Sequence, residues 1–188
     1  MKNDRKSFFI KTLFLIVAIT LVSYLYGFRF TPLKTIKSNI KKEANIFKTL
    51  ECTWGNIYLI KESSGFKTIA VKRYGLLWKI SNSCFYKNTS DSVKTIGWLD
   101  DHNYTFYAVL PKDKNITYIK IGPENDRIRK DIKKNNDIII FHWKKPIPWN
   151  KLNGVCYDNN NKPIYKFKYP QNTTITTDDL KWYSSLRQ

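Results

Sequence analysis

The longest run of hydrophobic positions lies at residues 12–28, between Lys11 and Arg29, and it contains no charge. A helix needs about 20 apolar residues to cross a bilayer, and residues 8–10 extend the run if the Lys11 ammonium reaches the headgroups. Aromatic rings suit the membrane interface, and those at the C-terminal end of the run are Tyr24, Tyr26 and Phe28. The pattern predicts a transmembrane anchor at residues 12–28 behind a tail at residues 1–11.

A cleaved signal peptide would show the same apolar run followed by small residues at a cleavage site. Residues 22–27 are mostly bulky, so we expect an uncleaved signal-anchor. Cations stand on both sides of the run, and a bare count of them does not orient it. A short basic tail before a first apolar segment is the usual arrangement for export, so we expect a single-pass protein of the cell membrane with its C-terminal domain extracytoplasmic.

A helical spacing of apolar residues continues through residues 32–48. Thr31 and Pro32 at its start are typical of an N-cap and a first helical position. We therefore expect a basic amphipathic juxtamembrane helix within residues 29–50. Its lysines could reach lipid headgroups, or the helix could lie on the domain with a solvated charged face. The candidate membrane-surface contacts are Lys34, Lys37, Lys41 and Lys42.

From residue 51 onward, short aromatic and β-branched runs recur about every ten residues between polar turns. This pattern predicts a mainly β fold (α+β borderline), a meander closing into a small barrel or sandwich, with residues 51–188 as one domain. The one interruption is residues 122–136, where acids come early, cations come late, and Ile128 and Ile132 share a helical face. We expect one short inserted helix there.

The charge balance indicates an anionic partner. The 188 residues carry 33 Lys and Arg against 15 Asp and Glu, and after residue 33 the numbers are 28 and 14. Only six of the 33 Lys and Arg residues are Arg, and the abundance of Lys, Asn, Ile and Tyr is typical of an A+T-rich genome. The positive charge that this composition does not explain is suited to attracting anionic lipid or a cell-wall polymer. Nucleic acid is not expected, because no nucleic-acid-binding signature accompanies the charge.

The predicted helix at residues 122–136 carries the most specific candidate anion or partner contacts, since Arg binds carboxylates and phosphates in a bidentate manner. The alternative interpretation is an exposed charged helix that has no binding function. The candidates are Arg127, Arg129, Lys130 and Lys133.

Signatures of the familiar enzymes are absent from the sequence, including the nucleophile elbow, the zinc-protease helix and the phosphate-binding loop. The two histidines are His102, in an acidic turn, and His142, which we expect to be a hydrogen-bonded core residue. Three cysteines, Cys52, Cys84 and Cys156, allow one disulfide with one free thiol or three buried thiols. No catalytic residue, metal ligand or cofactor is assigned.

Four stretches resemble an uncharacterised family of small membrane-anchored proteins of low-G+C Gram-positive bacteria. The similarity would cover residues 51–183, and the family implies no activity, cofactor or catalytic residue. The stretches are residues 121–130, 141–143, 149–153 and 179–183.

Location, charge and the missing catalytic motifs together favour a membrane-anchored extracytoplasmic binding or interaction module. Two alternatives stay open: an accessory or regulatory subunit of a membrane protein complex, and a cell-envelope hydrolase with an unrecognised site. An enzyme should present a concave pocket with a histidine or cysteine beside a carboxylate, whereas a binding module should present an exposed basic or aromatic face.

Overall fold

The chain begins with a long helix, α1, Lys2–Leu25. The computed structural model describes residues 2–101, 103–133, 137–169 and 176–185. Within α1, Ser7–Leu25 is long and apolar enough to cross a membrane, and none of it is buried against the rest of the chain. The N-terminal helix that the sequence predicts is therefore present, and it suits a single-pass anchor.

Helix α1 ends at Leu25, three residues earlier than the apolar run suggested, because Gly27 takes a left-handed conformation (φ 85°). The amide of Phe28 donates to the Ser23 carbonyl at 3.0 Å and the amide of Gly27 donates to the Tyr24 carbonyl at 3.1 Å. This pair of bonds is the Schellman arrangement that satisfies the last carbonyls of a helix.

The predicted juxtamembrane helix is much shorter than expected. Helix α2 covers only Pro32–Lys37, with Thr31 as N-cap accepting a hydrogen bond from the Lys34 amide. The Ser38 hydroxyl donates to the Thr35 carbonyl, and such local side-chain bonds compete with continued helix. Residues 45–52 form a strand instead, so the prediction of a helix through residue 48 is wrong.

The rest of the chain is mainly β, as predicted, and its sheets are open. A four-stranded sheet has the order β1-β2-β3-β4, a three-stranded sheet the order β5-β6-β9, and a five-stranded sheet the order β12-β11-β10-β7-β8. The strands are β1 Asn45–Cys52, β2 Gly55–Glu62, β3 Gly65–Tyr74, β4 Leu77–Lys87, β5 Val93–Asp101, β6 Tyr104–Pro111, β7 Tyr118–Ile121, β8 Ile128–Asp131, β9 Ile139–Trp143, β10 Val155–Tyr157, β11 Pro163–Lys168 and β12 Lys181–Ser184.

Contacts divide the chain into two compact units. Unit 1 contains Met1–Lys42, Thr49–Tyr58 and Ile69–Asn82, and thus both α-helices. Unit 2 contains Glu43–Lys48, Leu59–Thr68 and Ser83–Gln188, and thus the three-stranded and five-stranded sheets.

In unit 2 those two sheets pack face to face through large apolar side chains. Tyr107 on β6 is fully buried, and its ring meets Phe167 on β11 edge to face at 5.8 Å. The Tyr107 hydroxyl lies 2.7 Å from the Thr95 hydroxyl, which also accepts a hydrogen bond from the Trp182 indole. The network joins β5 and β6 to β12 inside the core.

The prediction of an inserted α-helix at residues 122–136 is wrong. A single 3-10 turn covers Glu124–Asp126, and β8 follows at once, pairing with β7 at the edge of the five-stranded sheet. Ile128 lies opposite Ile121 in this pairing, so its burial follows a two-residue alternation and not a helical one. Residues 134–136 lie outside the described residues.

The prediction that His142 is a core residue is also wrong. Strand β9 alternates between buried Phe141 and Trp143 on one face and exposed His142 on the other. The His142 ring stacks on Tyr104 at 6.0 Å between centroids. His102, the other histidine considered, lies outside the described residues.

Candidate functional site

The five-stranded sheet of unit 2 has two chemically different faces. One face, which includes Ile119, Cys156 and Phe167, is buried in the core. Successive side chains of a strand point to opposite faces, and directly paired residues share a face. The outward face therefore begins with the paired row Arg129, Lys120, Val155, Lys166 and Tyr183.

This outward surface, which we call the cationic face, carries five basic side chains. It combines the row above with a pair at the other end of β11 and β12, where Lys168 lies directly opposite Lys181. Adjacent strands are about 4.8 Å apart, so the five cations spread over a surface about 20 Å wide. They are Lys120, Arg129, Lys166, Lys168 and Lys181.

Two cross-strand pairs on the cationic face bring like charges together. Lys120 is directly opposite Arg129, and Lys168 is directly opposite Lys181. Like charges in such positions destabilise a sheet, by an amount comparable to the 0.2–1 kcal/mol, roughly, of a favourable pair. The fold therefore tolerates an electrostatic cost here.

Aromatic rings hold several of these cations in place. Tyr118 and Tyr157 stack at 4.7 Å with nearly parallel planes, and the Arg129 guanidinium lies 3.8 Å from the centre of the Tyr118 ring. The Lys120 ammonium is 5.7 Å from the Tyr118 ring and 5.6 Å from the Tyr157 ring. Cation–π contacts of this length are attractive, and they restrict side chains that would otherwise move freely.

The carboxylate of Asp131 also lies on the cationic face. Its Oδ1 atom is 2.9 Å from Arg129 Nη2 and 3.0 Å from Arg129 Nε. Both side chains are more than half exposed, so the pair contributes little to stability. Because solvent screens this exposed pair, Asp131 only partly offsets the charge of Arg129, and the four lysines add to the positive potential.

The structure separates the four residues predicted as anion or partner contacts. Arg129 lies on the cationic face, whereas the Lys130 ammonium lies on the opposite face, 5.8 Å from the Phe141 ring. Arg127 donates from its guanidinium to the Asn153 carbonyl. Lys133 is exposed beyond the end of β8.

The four lysines predicted at the membrane surface are all exposed. Lys34 and Lys37 belong to α2, whereas Lys41 and Lys42 follow it in non-helical chain. Because the helix stops at Lys37, the continuous lysine stripe that the sequence suggested does not form.

A cavity of about 190 Å³ in unit 2 is lined partly by Lys94 and Lys181. Lys94 is only 4% exposed, and its ammonium donates to Asn88 Oδ1 at 3.3 Å and lies 5.2 Å from the Phe66 ring. Burial and the nearby Lys112 ammonium lower the pKa of Lys94, and Asp91 partly opposes them. The cavity thus adds a partly desolvated amine beside Lys181 of the cationic face.

Among the described residues, the linings of the 190 Å³ cavity and of a second cavity contain neither histidine nor cysteine. The second cavity, of about 440 Å³, is lined by Asp113, Asp158 and Tyr165 among others. Nearby, burial and the charge of Asp113 raise the pKa of Cys156 well above its usual value, so this thiol stays protonated and is a poor nucleophile. Among the described residues no group of three or more His, Cys, Asp and Glu side chains could hold a metal ion.

The lysines of the cationic face were missed in the sequence because they come from strands that are distant in the chain. The alternation Lys166, Phe167, Lys168 is visible in the sequence and indicates one apolar and one basic strand face. The order that places β12, β11, β10, β7 and β8 side by side is not visible there.

Comparison of the chain with protein-family models, with curated proteins and with solved structures found no match to any of them.

Proposed function

We propose that this chain is a single-pass, N-in membrane protein whose extracytoplasmic domain binds an anionic polymer of the cell envelope on the cationic face. The observation that carries the proposal is that two like-charged pairs, Lys120 with Arg129 and Lys168 with Lys181, lie directly opposite each other on neighbouring strands of one exposed sheet face. A row of phosphates or carboxylates along this face would remove the repulsion and gain attraction from every cation.

The shape of the cationic face favours an extended polymer over a small anion. Its cations lie on four of the five strands, β7, β8, β11 and β12, and do not converge on one point. The aromatic contacts of Lys120, Arg129 and Lys168 restrict these side chains before any ligand arrives, so less conformational entropy is lost on binding. The sheet edge beyond β8 is free of further named strands in the described chain, which leaves the row open at that end.

The binding test compares two triple variants of the full-length chain in nanodiscs of neutral phosphatidylcholine, with poly(glycerol phosphate) as the probe. In the first variant Lys120, Lys166 and Lys168 become Gln. If each cation contributes about 1 kcal/mol, as basic residues do near anionic surfaces, affinity should fall roughly a hundredfold. Affinity of the unchanged protein should also fall as salt is added.

The matched control changes three exposed lysines elsewhere, Lys48, Lys61 and Lys144, to Gln, so that net charge falls equally. This control should keep most of its affinity. The cationic-face variant should unfold at about the same urea concentration as the unchanged protein, because two repulsive pairs lose a charge while the cation–π contacts of Lys120 and Lys168 are lost as well. Equal weakening by both variants would show that net charge alone binds the probe, and the proposal would fail.

The anchor is tested separately, by mass spectrometry of the native protein recovered from the membrane fraction. An uncleaved signal-anchor predicts peptides from the N-terminal side of Tyr26, since bulky residues at positions 22–27 do not suit a signal peptidase. A mature N-terminus near residue 27 would contradict the anchored form of the proposal.

A further inference from the structure

The turn between β3 and β4 is attached to the end of helix α1. Arg29, just after the helix, exchanges two backbone hydrogen bonds with Trp78 on β4, at 2.9 Å and 2.7 Å. The Arg29 guanidinium donates to the carbonyls of Tyr24 and Phe28 and lies 3.7 Å from the Tyr24 ring. Phe28 in turn meets Tyr74 edge to face at 5.6 Å. These contacts all lie within unit 1 and fix the hairpin against the helix end.

The hairpin tip folds back along α1 and does not point away from it. Tyr74, Leu76 and Leu77 border an apolar groove of about 340 Å³ whose other wall includes Ile19 and Tyr24. Ile19 precedes the helix end at Leu25 by six residues, which corresponds to about 9 Å along the axis. The tip therefore reaches the level of the last two turns of the helix.

Those last turns have to lie inside the bilayer if α1 crosses it. The apolar segment Ser7–Leu25 has 19 residues, which as a helix measures about 28 Å against a hydrocarbon core of about 30 Å. The whole segment is needed to cross the hydrocarbon core, so Ile19 lies below the surface of the leaflet. Anything that packs beside Ile19 shares that depth.

The side chains of the tip suit such an environment. Leu76 is 81% exposed and Tyr74 is 50% exposed, which is unfavourable in water for an apolar turn. The carbonyl of Gly75, in the turn, is satisfied by the Arg73 guanidinium at 2.9 Å. Satisfied backbone groups are what a chain needs near hydrocarbon.

Cations flank the tip and acids are absent. The Arg73 guanidinium lies 5.7 Å from the Trp78 ring, and the Lys79 ammonium lies 5.0 Å from the Phe28 ring. The sequence has no Asp or Glu between Glu62 and Asp91, or between Asp4 and Glu43. Aromatic rings with long basic side chains at one level are typical of the membrane interface.

We infer that the tip of the β3–β4 hairpin inserts into the same leaflet that α1 enters, and that a phospholipid acyl chain fills the groove between them. The hairpin is then a second membrane contact, independent of polymer binding. It fixes the tilt of unit 1 on the bilayer, which the helix alone would leave free.

The test places an environment-sensitive NBD fluorophore on the tip in the full-length chain, through Leu76→Cys, in phosphatidylcholine–phosphatidylglycerol nanodiscs. The matched control is Ser63→Cys, in the polar two-residue turn between β2 and β3. Unsubstituted protein treated in the same way measures labelling of the native cysteines. Lipids with a nitroxide on the acyl chain should quench the label at position 76 several-fold more than at position 63, and aqueous iodide should show the reverse order.

Hydrogen exchange of the unsubstituted protein in the same nanodiscs checks the result without a label. Amides in the 75–76 turn should exchange several-fold more slowly than amides in the 63–64 turn, since lipid excludes water from the first turn only. Equal quenching at positions 76 and 63, or equally fast exchange in both turns, would overturn the insertion.

Discussion

Replacing Tyr107 by Ala should lower the free energy of unfolding by about 3–5 kcal/mol, the range for removing a large aromatic side chain from a core. Tyr107 is fully buried, and its ring meets Phe167 across the two sheets of unit 2. The substitution leaves a cavity where the sheets meet and also removes the hydroxyl that bonds Thr95. Native domains are stable by only about 5–15 kcal/mol, so this one change should remove a large share of the total.

Urea unfolding of the full-length protein, followed by tryptophan fluorescence, measures the effect. Tyr107→Phe keeps the ring and loses only the hydroxyl bond, so it should cost about 1 kcal/mol. Tyr183→Ala removes a half-exposed ring from the outward face of β12 and should change stability by less than about 0.5 kcal/mol. A Tyr107→Ala variant no less stable than Tyr183→Ala would show that the sheets are not held together at this point.

The sequence predicted correctly those elements that a single continuous pattern of apolar and polar residues identifies. A long apolar run identified the N-terminal helix, and regular polar turns identified the β-rich remainder. Each of these signals is local, so no long-range contact was needed to interpret it.

The failures occurred where two periodicities overlapped. Residues 40, 44 and 47 carry apolar side chains at helical spacing, yet Phe47 lies on strand β1, where its ring meets Phe66 edge to face at 5.9 Å. Ile128 and Ile132 are four apart, a spacing that fits a helix and also one face of a strand, and both pack against the core with Ile128 on strand β8. Tertiary contacts decided both cases, and short segments have too little intrinsic preference to resist them.

The cationic face could be predicted only in part, because one of its strands does not have the sequence pattern of a strand. Strand β8 carries charges on both faces, with Arg129 and Asp131 outward and Lys130 toward Phe141. An edge strand protected by charge shows no clean alternation of apolar and polar residues, so its sequence reads as a charged helix. Arg129 was therefore recognised as a candidate, while its strand partner Lys120 was not.

Alkaline pH should destabilise unit 2 because three groups in its core ionise more easily in the unfolded chain than in the folded one. Tyr86, Tyr107 and Cys156 are all buried. Burial raises the pKa of each above its ordinary value, mainly because a phenolate or thiolate would lose its hydration inside the core.

The direction of the effect follows from which state holds the protons. In the unfolded chain Cys loses its proton near pKa 8.5 and Tyr near pKa 10, whereas the folded chain keeps these protons to higher pH. Their contribution is therefore complete below about pH 8.5 and is lost above it, at up to about 1.4 kcal/mol per pH unit for each group. Lys94 acts in the opposite sense, because its lowered pKa lets the folded chain release a proton first. Burial also raises the pKa values of Cys84 and Tyr165, which adds to the loss, so the net effect of alkaline pH is destabilising.

Urea unfolding under reducing conditions at about pH 7.5 and about pH 10.5, which bracket the ordinary thiol and phenol pKa values, measures this loss. Tyr107→Phe is the informative control, because it removes one ionisable group and keeps the packing. The variant should start slightly less stable at the lower pH and lose less between the two pH values, so that the two proteins converge. If both lost the same free energy, Tyr107 would ionise as readily inside the core as in water, and its burial between the two sheets would be wrong.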